Sequence, residues 1–301
     1  MARFSRCSSS SAGDASGQDA AKDVALTAKW QPYILGKLPT PEKLPQLLSE
    51  LSDLLGSRNP KLRDDTAYLL LSRWILRHNL PRKNDCLRLL NTWTSNLSYR
   101  LDASPKQRDE AALRRSFSAL SLVLLVERDR QHAFLRRDTF HELVTKATDY
   151  MRLEPDERGY VPVLGWVHPT AHGADLLRHI AKSKRLEGRH HTTILDSITH
   201  RLQRLKLAFT AGEDNRLAHA IVELTQRQDF ETATLKLWLT SLVNVRATGP
   251  QEHKIAFGHN RRLVVQAVMV RLALAAQQTN KTTANLGVVR EALQGKLRKP
   301  R

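Results

Sequence analysis

The sequence predicts an all-α fold, an α–α superhelix of stacked helix pairs, and three observations carry that prediction. Leucine stripes recur at helical spacing between proline and glycine punctuation; no alternating segment bounded by hairpin turns stands out as a strand; and short charged strings recur at a fixed interval. Arg63-Asp64-Asp65-Thr66-Ala67 returns as Arg108-Asp109-Glu110-Ala111-Ala112, and Asn215-Arg216 as Asn260-Arg261, each 45 residues later. Asp156-Glu157-Arg158 falls roughly midway. That interval suits the two-helix units of HEAT and armadillo-type arrays, so the superhelix is read as HEAT/armadillo-like. Carboxylates at a helix start suit its dipole, and an arginine from the next unit can pair with them as a ladder.

The elements follow in order. Residues 1–21 are rich in Ser, Gly, Asp and Ala with no hydrophobic period and read as a disordered tail, and 22–301 read as a single helical-repeat domain. The first helix is expected over Lys22 to Leu35, stopped by Gly36. A second, Pro45 to Leu55, carries one stripe through Leu44, Leu47, Leu48, Leu51, Leu54 and Leu55, with Gly56 as its C-terminal cap. Asn59-Pro60 supplies a cap and a first helical residue for a helix through His78, and Pro81 blocks its continuation. Asn84 caps a helix to Leu101; Ser104-Pro105 opens one through Glu127; another covers Phe134 to Met151. After a loop over Glu154 to Gly165, helices are expected at Pro169 to Ser183, Arg189 to Phe209, Asp214 to Arg227 and Phe230 to Val245. The last two are Asn260 to Gln278 and Thr283 to Leu297.

Composition narrows the function classes. Hydrophobic residues make up 41% of the 301, and aromatics only 6%, so aliphatic helix packing must supply the core. Two distant cysteines, Cys7 and Cys86, exclude a disulfide framework and a cysteine-based zinc module and fit a reducing, cytoplasmic setting. The longest apolar run, Leu120 to Val126, is closed by Glu127-Arg128-Asp129-Arg130 and is too short to span a bilayer, so no membrane association is expected. A net charge of +18 makes nucleic acid a candidate partner. The charge is spread along the chain, and solvated basic helix faces explain it as well. Lys182, Lys184, Arg185, Arg189, Arg201, Arg204 and Lys206 form the longest basic stretch.

Chemistry concentrates between Glu154 and His179. His168-Pro169 opens a helix on which His172, Asp175 and His179 share one stripe. Two neutral imidazoles and a carboxylate on one face can hold a divalent metal, and a carboxylate beside a histidine can fix its tautomer. His168, His172 and Asp175 are therefore the candidate metal or general-base set, with Asp156, Glu157 or Glu213 reaching in from neighbouring units. His-x3-His without a following glutamate lacks the metalloprotease signature, and such pairs also serve as caps or buried hydrogen-bonding groups. Tyr160 and Trp166 would line a pocket or pin the loop to the stack, and Glu213-Asp214-Asn215-Arg216 is a second polar cluster at a helix start. Half of the 12 histidines lie between His168 and His200, so this region is expected to gain charge as pH falls toward 6.

Arg63-Asp64-Asp65-Thr66-Ala67-Tyr68 with Trp74-Ile75, Asp156-Glu157-Arg158-Gly159-Tyr160, Gly165-Trp166-Val167-His168, Ala171-His172-Gly173-Ala174-Asp175-Leu176-Leu177 and Glu213-Asp214-x-Arg216-Leu217-Ala218 together resemble the bacterial domain-of-unknown-function 2785 family over about Leu47 to Ala275. The resemblance implies an all-helical, HEAT-like domain with no assigned activity. The Ser-rich N-terminal extension and strong basicity depart from that pattern. The resulting expectation is a binding or scaffold module without a cofactor, for a protein or peptide partner. Its surface would be centred on Asp156, Glu157, Arg158, Trp166, His168, His172 and Asp175, with Glu213, Asp214 and Arg216 beside it. A metal-assisted or histidine-based hydrolase using His168, His172 and Asp175, and non-specific nucleic-acid binding, are the alternatives.

Overall fold

Apolar stripes cut by prolines and glycines produce a chain of helices in the computed structural model, which describes residues 12–275 and 280–294, with side chains from Asp23 onward. Helix α1 is Ala12–Ile34 and α2 is Leu44–Leu54, with α3 covering residues 60–77. They are followed by α4 (Lys83–Asn96), α5 (Pro105–Glu110), α6 (Ala112–Gln131) and α7 (Arg137–Leu153). Strands β1 (Tyr160–Val161) and β2 (Gly165–Trp166) form one small hairpin, and α8 (Pro169–Lys182) and α9 (His191–Arg204) come next. The described chain closes with α10 (Glu213–Thr225), α11 (Thr232–Asn244), α12 (Gln251–Ala275) and α13 (Asn280–Gln294).

Helices α3, α6, α8, α10 and α12 pack side by side in chain order as one layer. Helices α2, α4, α7, α9, α11 and α13 form the other, so each connection crosses between layers. Between them lies one continuous apolar cluster running from Trp30 to Val289, aliphatic for the most part. Helix α8 sits at its centre: Leu176, Leu177 and Ile180 are wholly buried, and truncating one of them to alanine would cost about 2–5 kcal/mol. No helix among the described residues is long and apolar enough to cross a membrane.

Several boundaries differ from the sequence expectation for identifiable reasons. Helix α1 begins at Ala12, ten residues before Lys22, through a segment with four alanines and no proline; the remainder of the expected tail lies outside the described residues. A turn at Ala111 separates α5 from α6, and α6 continues past Glu127 to Gln131. The start of α4 is set by the Asp85 carboxylate accepting the Arg82 N–H at 3.0 Å, and Asn84 lies inside the helix. Asn59 does cap α3, its Oδ1 accepting the Lys61 N–H at 3.0 Å. Within α3 the backbone widens into π turns at Arg63–Tyr68 and Arg73–Arg77, which periodicity does not reveal.

The 45-residue recurrence does not mark equivalent positions. Helices of the first layer start at Pro60, Ala112, Pro169, Glu213 and Gln251, at uneven intervals. Because α12 starts just after Pro250, Asn260 lies deep within it, buried, where its Oδ1 accepts from the Phe209 N–H and its Nδ2 donates to Leu207 O. Asn215, its supposed counterpart, is in the first turn of α10 and exposed.

Candidate functional site

A fifteen-residue connection with almost no regular structure, residues 154–168, lies between α7 and α8, and three fully buried arginines hold it. Arg115 of α6 grips the Glu154 carboxylate through Nε and Nη2 at 2.6 and 2.9 Å, while its Nη1 donates to the carbonyls of Tyr99 and Arg108. Arg201 of α9 donates to the carbonyls of Glu154 and Asp156 and to Thr170 Oγ1. Arg63 of α3 reaches across the sequence to the carbonyls of Leu164 and Trp166 at 2.8 and 3.2 Å. Its guanidinium also lies 4.6 Å over the Phe117 ring and 2.7 Å from the Asp64 carboxylate. Such buried cations need acceptors, and backbone carbonyls supply most of them; of the nine guanidinium nitrogens, the Arg63 Nε has none.

The acids at the start of the connection complete the clamp. Asp156 binds the Arg158 guanidinium at two points and its backbone N–H at 2.9 Å. Arg158 Nη2 also donates to Asp109 O, and Glu157 Oε2 accepts the N–H groups of Lys206 and Leu207 at 2.8 and 2.9 Å. Asp156, Glu157 and Arg158 are thus committed to loop contacts and do not reach the histidines.

Thus fixed, the chain turns through an antiparallel hairpin with Tyr160 opposite Trp166 and Val161 opposite Gly165. Two-residue strands are too short to leave an alternating signature, so the sequence gives no sign of them. Gly165 has φ +70, and a Cβ there would sit 3.2 Å from Pro60; Val163 at the tip also has a positive φ, +71, a rare conformation for a β-branched residue. Tyr160, Val163 and Trp166 remain 61%, 90% and 43% exposed. Beside the hairpin, Arg58, Lys106, Asp109, Glu110, Leu113, Arg158 and Leu164 line a cleft of about 340 Å³.

Behind the hairpin are the histidines. His168 precedes α8 in a left-handed conformation (φ +49), and its ring stacks on Trp166 with centroids 4.2 Å apart and planes 5° from parallel. Its Nδ1 is buried without a hydrogen bond, 4.0 Å from Glu213 Oε1, while Glu213 Oε2 accepts the Ala211 N–H. His172, one turn on, lies edge-on to Phe117 and 5.8 Å from the His168 ring. The Ser116 hydroxyl has one proton, which it donates to Val167 O; His172 Nδ1, 2.8 Å from the same oxygen, must then be the donor. The network therefore assigns the proton to Nδ1 and leaves Nε2 a bare lone pair, with no hydrogen-bond partner among the described residues.

Burial, with the neighbouring His168 and Arg216 adding to it, holds the His172 pKa down to about 3. Burial lowers His168 too, against the opposing pull of Glu213. His179, His190 and His191 shift in the same direction, again chiefly by burial. The expectation that this region charges as pH falls toward 6 is corrected accordingly, because five of its histidines are held neutral to lower pH.

Asp175 is buried and ion-paired with Arg216; burial raises its carboxyl against the attraction of that arginine. It is also one cause, after burial, of a Tyr68 pKa pushed up to about 12. His179 lies farther along α8, 3.6 Å from Glu127. Asp214 has no ion pair among the described residues. The structure therefore joins Trp166, His168, His172 and Glu213, and pairs Asp175 with Arg216. Among the described residues no group of three or more His, Cys, Asp and Glu side chains is arranged to hold a metal ion, the set His168, His172 and Asp175 included. Sequence reasoning missed Ser116 and Arg115, named Arg63 only within the recurring charged string and the family resemblance, and named Arg201 only within the basic stretch, so the buried clamping role of all three arginines went unread. A serine within an apolar helix was the one available signal for the first, and among 48 Lys and Arg nothing in the sequence marks which are buried.

Residues 97–270 match the family described as Protein of unknown function (DUF2785), more than half of the chain. The chain belongs to this family. No curated protein and no solved structure matches it. The family segment contains the hairpin, both histidines, Ser116, Arg115, Arg201 and the Asp175–Arg216 pair, whereas Arg63 precedes it.

Proposed function

We propose that this protein is a binding module of the HEAT/armadillo-like helical-repeat kind, which takes a protein or peptide segment over its hairpin. One observation carries the reading: Tyr160, Val163 and Trp166 are exposed together on a hairpin whose backbone is fastened by the buried Arg63, in a connection anchored at its start by Arg115 and Arg201. Rigid aromatic side chains lose little freedom on docking, and an exposed apolar cluster with a polar rim suits a partner surface. The mixed charges of Arg58, Lys106, Asp109 and Glu110 in the adjoining cleft would set the partner's register.

The test is a peptide-display selection on the wild-type protein with counter-selection on Trp166→Ala. Enriched peptides should bind the wild type in fluorescence anisotropy and lose about tenfold or more in affinity on that variant. Peptides that bind both proteins equally would sink the reading.

A second reading, a histidine-based hydrolase, rests on the unprotonated Nε2 of His172, a candidate general base. It requires hydrolysis of p-nitrophenyl acetate faster than free imidazole achieves, abolished in His172→Gln. A wild-type rate no higher than imidazole's would rule it out for this ester.

A further inference from the structure

Along the same layer of helices, past the histidines, cations from three helices converge on His219 of α10. Arg178 Nε and Lys182 Nζ of α8 stand 3.7 and 3.6 Å from a single carboxylate, Glu223, one turn after His219. Arg271 of α12 reaches Asn215 Oδ1 at 3.3 Å, one turn before His219 on the other side. Arg216 lies three residues before His219 and is held by Asp175. The acids facing this space are therefore Glu223, shared by two cations, Asp175, already engaged, and Asp214 at the helix start. Arg271 has no carboxylate within ion-pair distance among the described residues, and the Nε groups of Arg178 and Arg271 are shielded from water without donating a hydrogen bond. Burial, then Arg271, Arg178, Arg216 and Lys182 in that order, push the His219 pKa down to about 4. A partly buried imidazole among four cations marks a place where a negative charge is missing.

We propose that Arg178, His219 and Arg271, with Lys182 and Arg216 at the rim, form a binding site for a small phosphate-bearing ligand. The guanidinium fork matches a phosphate's oxygens in pairs, and a protonated imidazole would add a further charge-assisted donor. The acids Asp175, Asp214 and Glu223 around the ring favour a compact anion. A nucleic-acid backbone tracking along the layer would pass each of these carboxylates in turn. An oxyanion beside His219 also favours its charged form, so binding takes up a proton. The site is independent of the hairpin and needs no partner there.

The experiment is a titration of the full chain with inorganic phosphate at constant ionic strength, followed by the ring signals of His219 in ¹H–¹³C NMR, assigned with His219→Gln. A saturable shift is expected, with the His219 titration moving up from about 4 toward the ordinary histidine value. Arg271→Gln should weaken binding about tenfold or more, and Lys236→Gln on α11 should leave it unchanged. An equal shift with chloride at matched ionic strength would mean screening alone and would overturn the proposal. So would a shift produced by a single-stranded oligonucleotide and not by phosphate, which would make the surface a polymer track. Should Arg271→Gln fail to fold, Arg178→Gln gives the same decision.

Discussion

Around Glu154 two arginines and a carboxylate are sealed from water, and every guanidinium nitrogen has an acceptor. Around His219 four cations share the space with fewer, partly engaged acids, and the Nε groups of two arginines lack acceptors. The first arrangement uses charge to fix backbone, and removing one member strands the others in a low dielectric. The second stores positive potential at the edge of solvent, where it costs the fold little and remains available to a ligand. One histidine reports on each region: His172, hydrogen-bonded to Ser116 next to Arg115, with its pKa pushed down to about 3, and His219, with its own pushed down to about 4, so the contrast can be measured.

The largest effect should come from Arg115→Met, which leaves Glu154 buried without its cation and should cost about 3–5 kcal/mol in urea unfolding. Arg178→Gln, in the other region, should stay within about 0.5 kcal/mol. Equal losses would erase the distinction. The next effect is pH-dependent. His172 is neutral when folded and charges near pH 6.5 when unfolded, so its contribution is complete above about 6.5 and is lost as pH falls toward about 3. That loss amounts to about 1.4 kcal/mol per pH unit in the window, and the slope should flatten by this much in His172→Gln if the assignment is right.

Salt sharpens the comparison further. Raising NaCl should lift the NMR pKa of His219, which has four partly open cations around it, and lift His172 less, because behind Phe117 and Ser116 it feels only Arg216 among those four. Equal movement of both would place them in one electrostatic environment. The smallest effect is at the hairpin tip, where Val163→Gly removes a left-handed β-branched residue and should change stability by no more than about 1 kcal/mol, in the favourable direction. A clear loss of stability would show the Val163 side chain packing against something more than solvent.

Much of the helical order was legible because leucine stripes, Asn59-Pro60 and the Pro169 start act locally. The hairpin was not, since two-residue strands carry no period and it is held from outside, directly by Arg63 and at the start of the connection by Arg115 and Arg201. In the site, Trp166, His168, His172 and Glu213 were identifiable from their density in the sequence, and they do assemble. Asp156, Glu157 and Arg158 were equally visible, but their role depends on which backbone groups fold beneath them. Ser116 decides the His172 tautomer from 56 residues away, a relation that exists only once α6 and α8 are packed. The Asn-Arg recurrence failed for a related reason: where α12 begins puts Asn260 mid-helix, and the interval between residues cannot report that.

The two hydrogen bonds from Arg63 to Leu164 and Trp166 join residues 101 and 103 positions apart. Closing so long a loop carries a large entropic cost and follows the local helix pairings in time. The hairpin should consequently lock late, once α3 has docked on α6. A nascent or partly unfolded chain would hold Tyr160, Val163 and Trp166 in a fluctuating segment, and only the completed molecule would offer them in fixed register. On the binding-module reading proposed above, the late contact would act as a maturity check, tying the presentation of that surface to the docking of a helix that precedes the family segment.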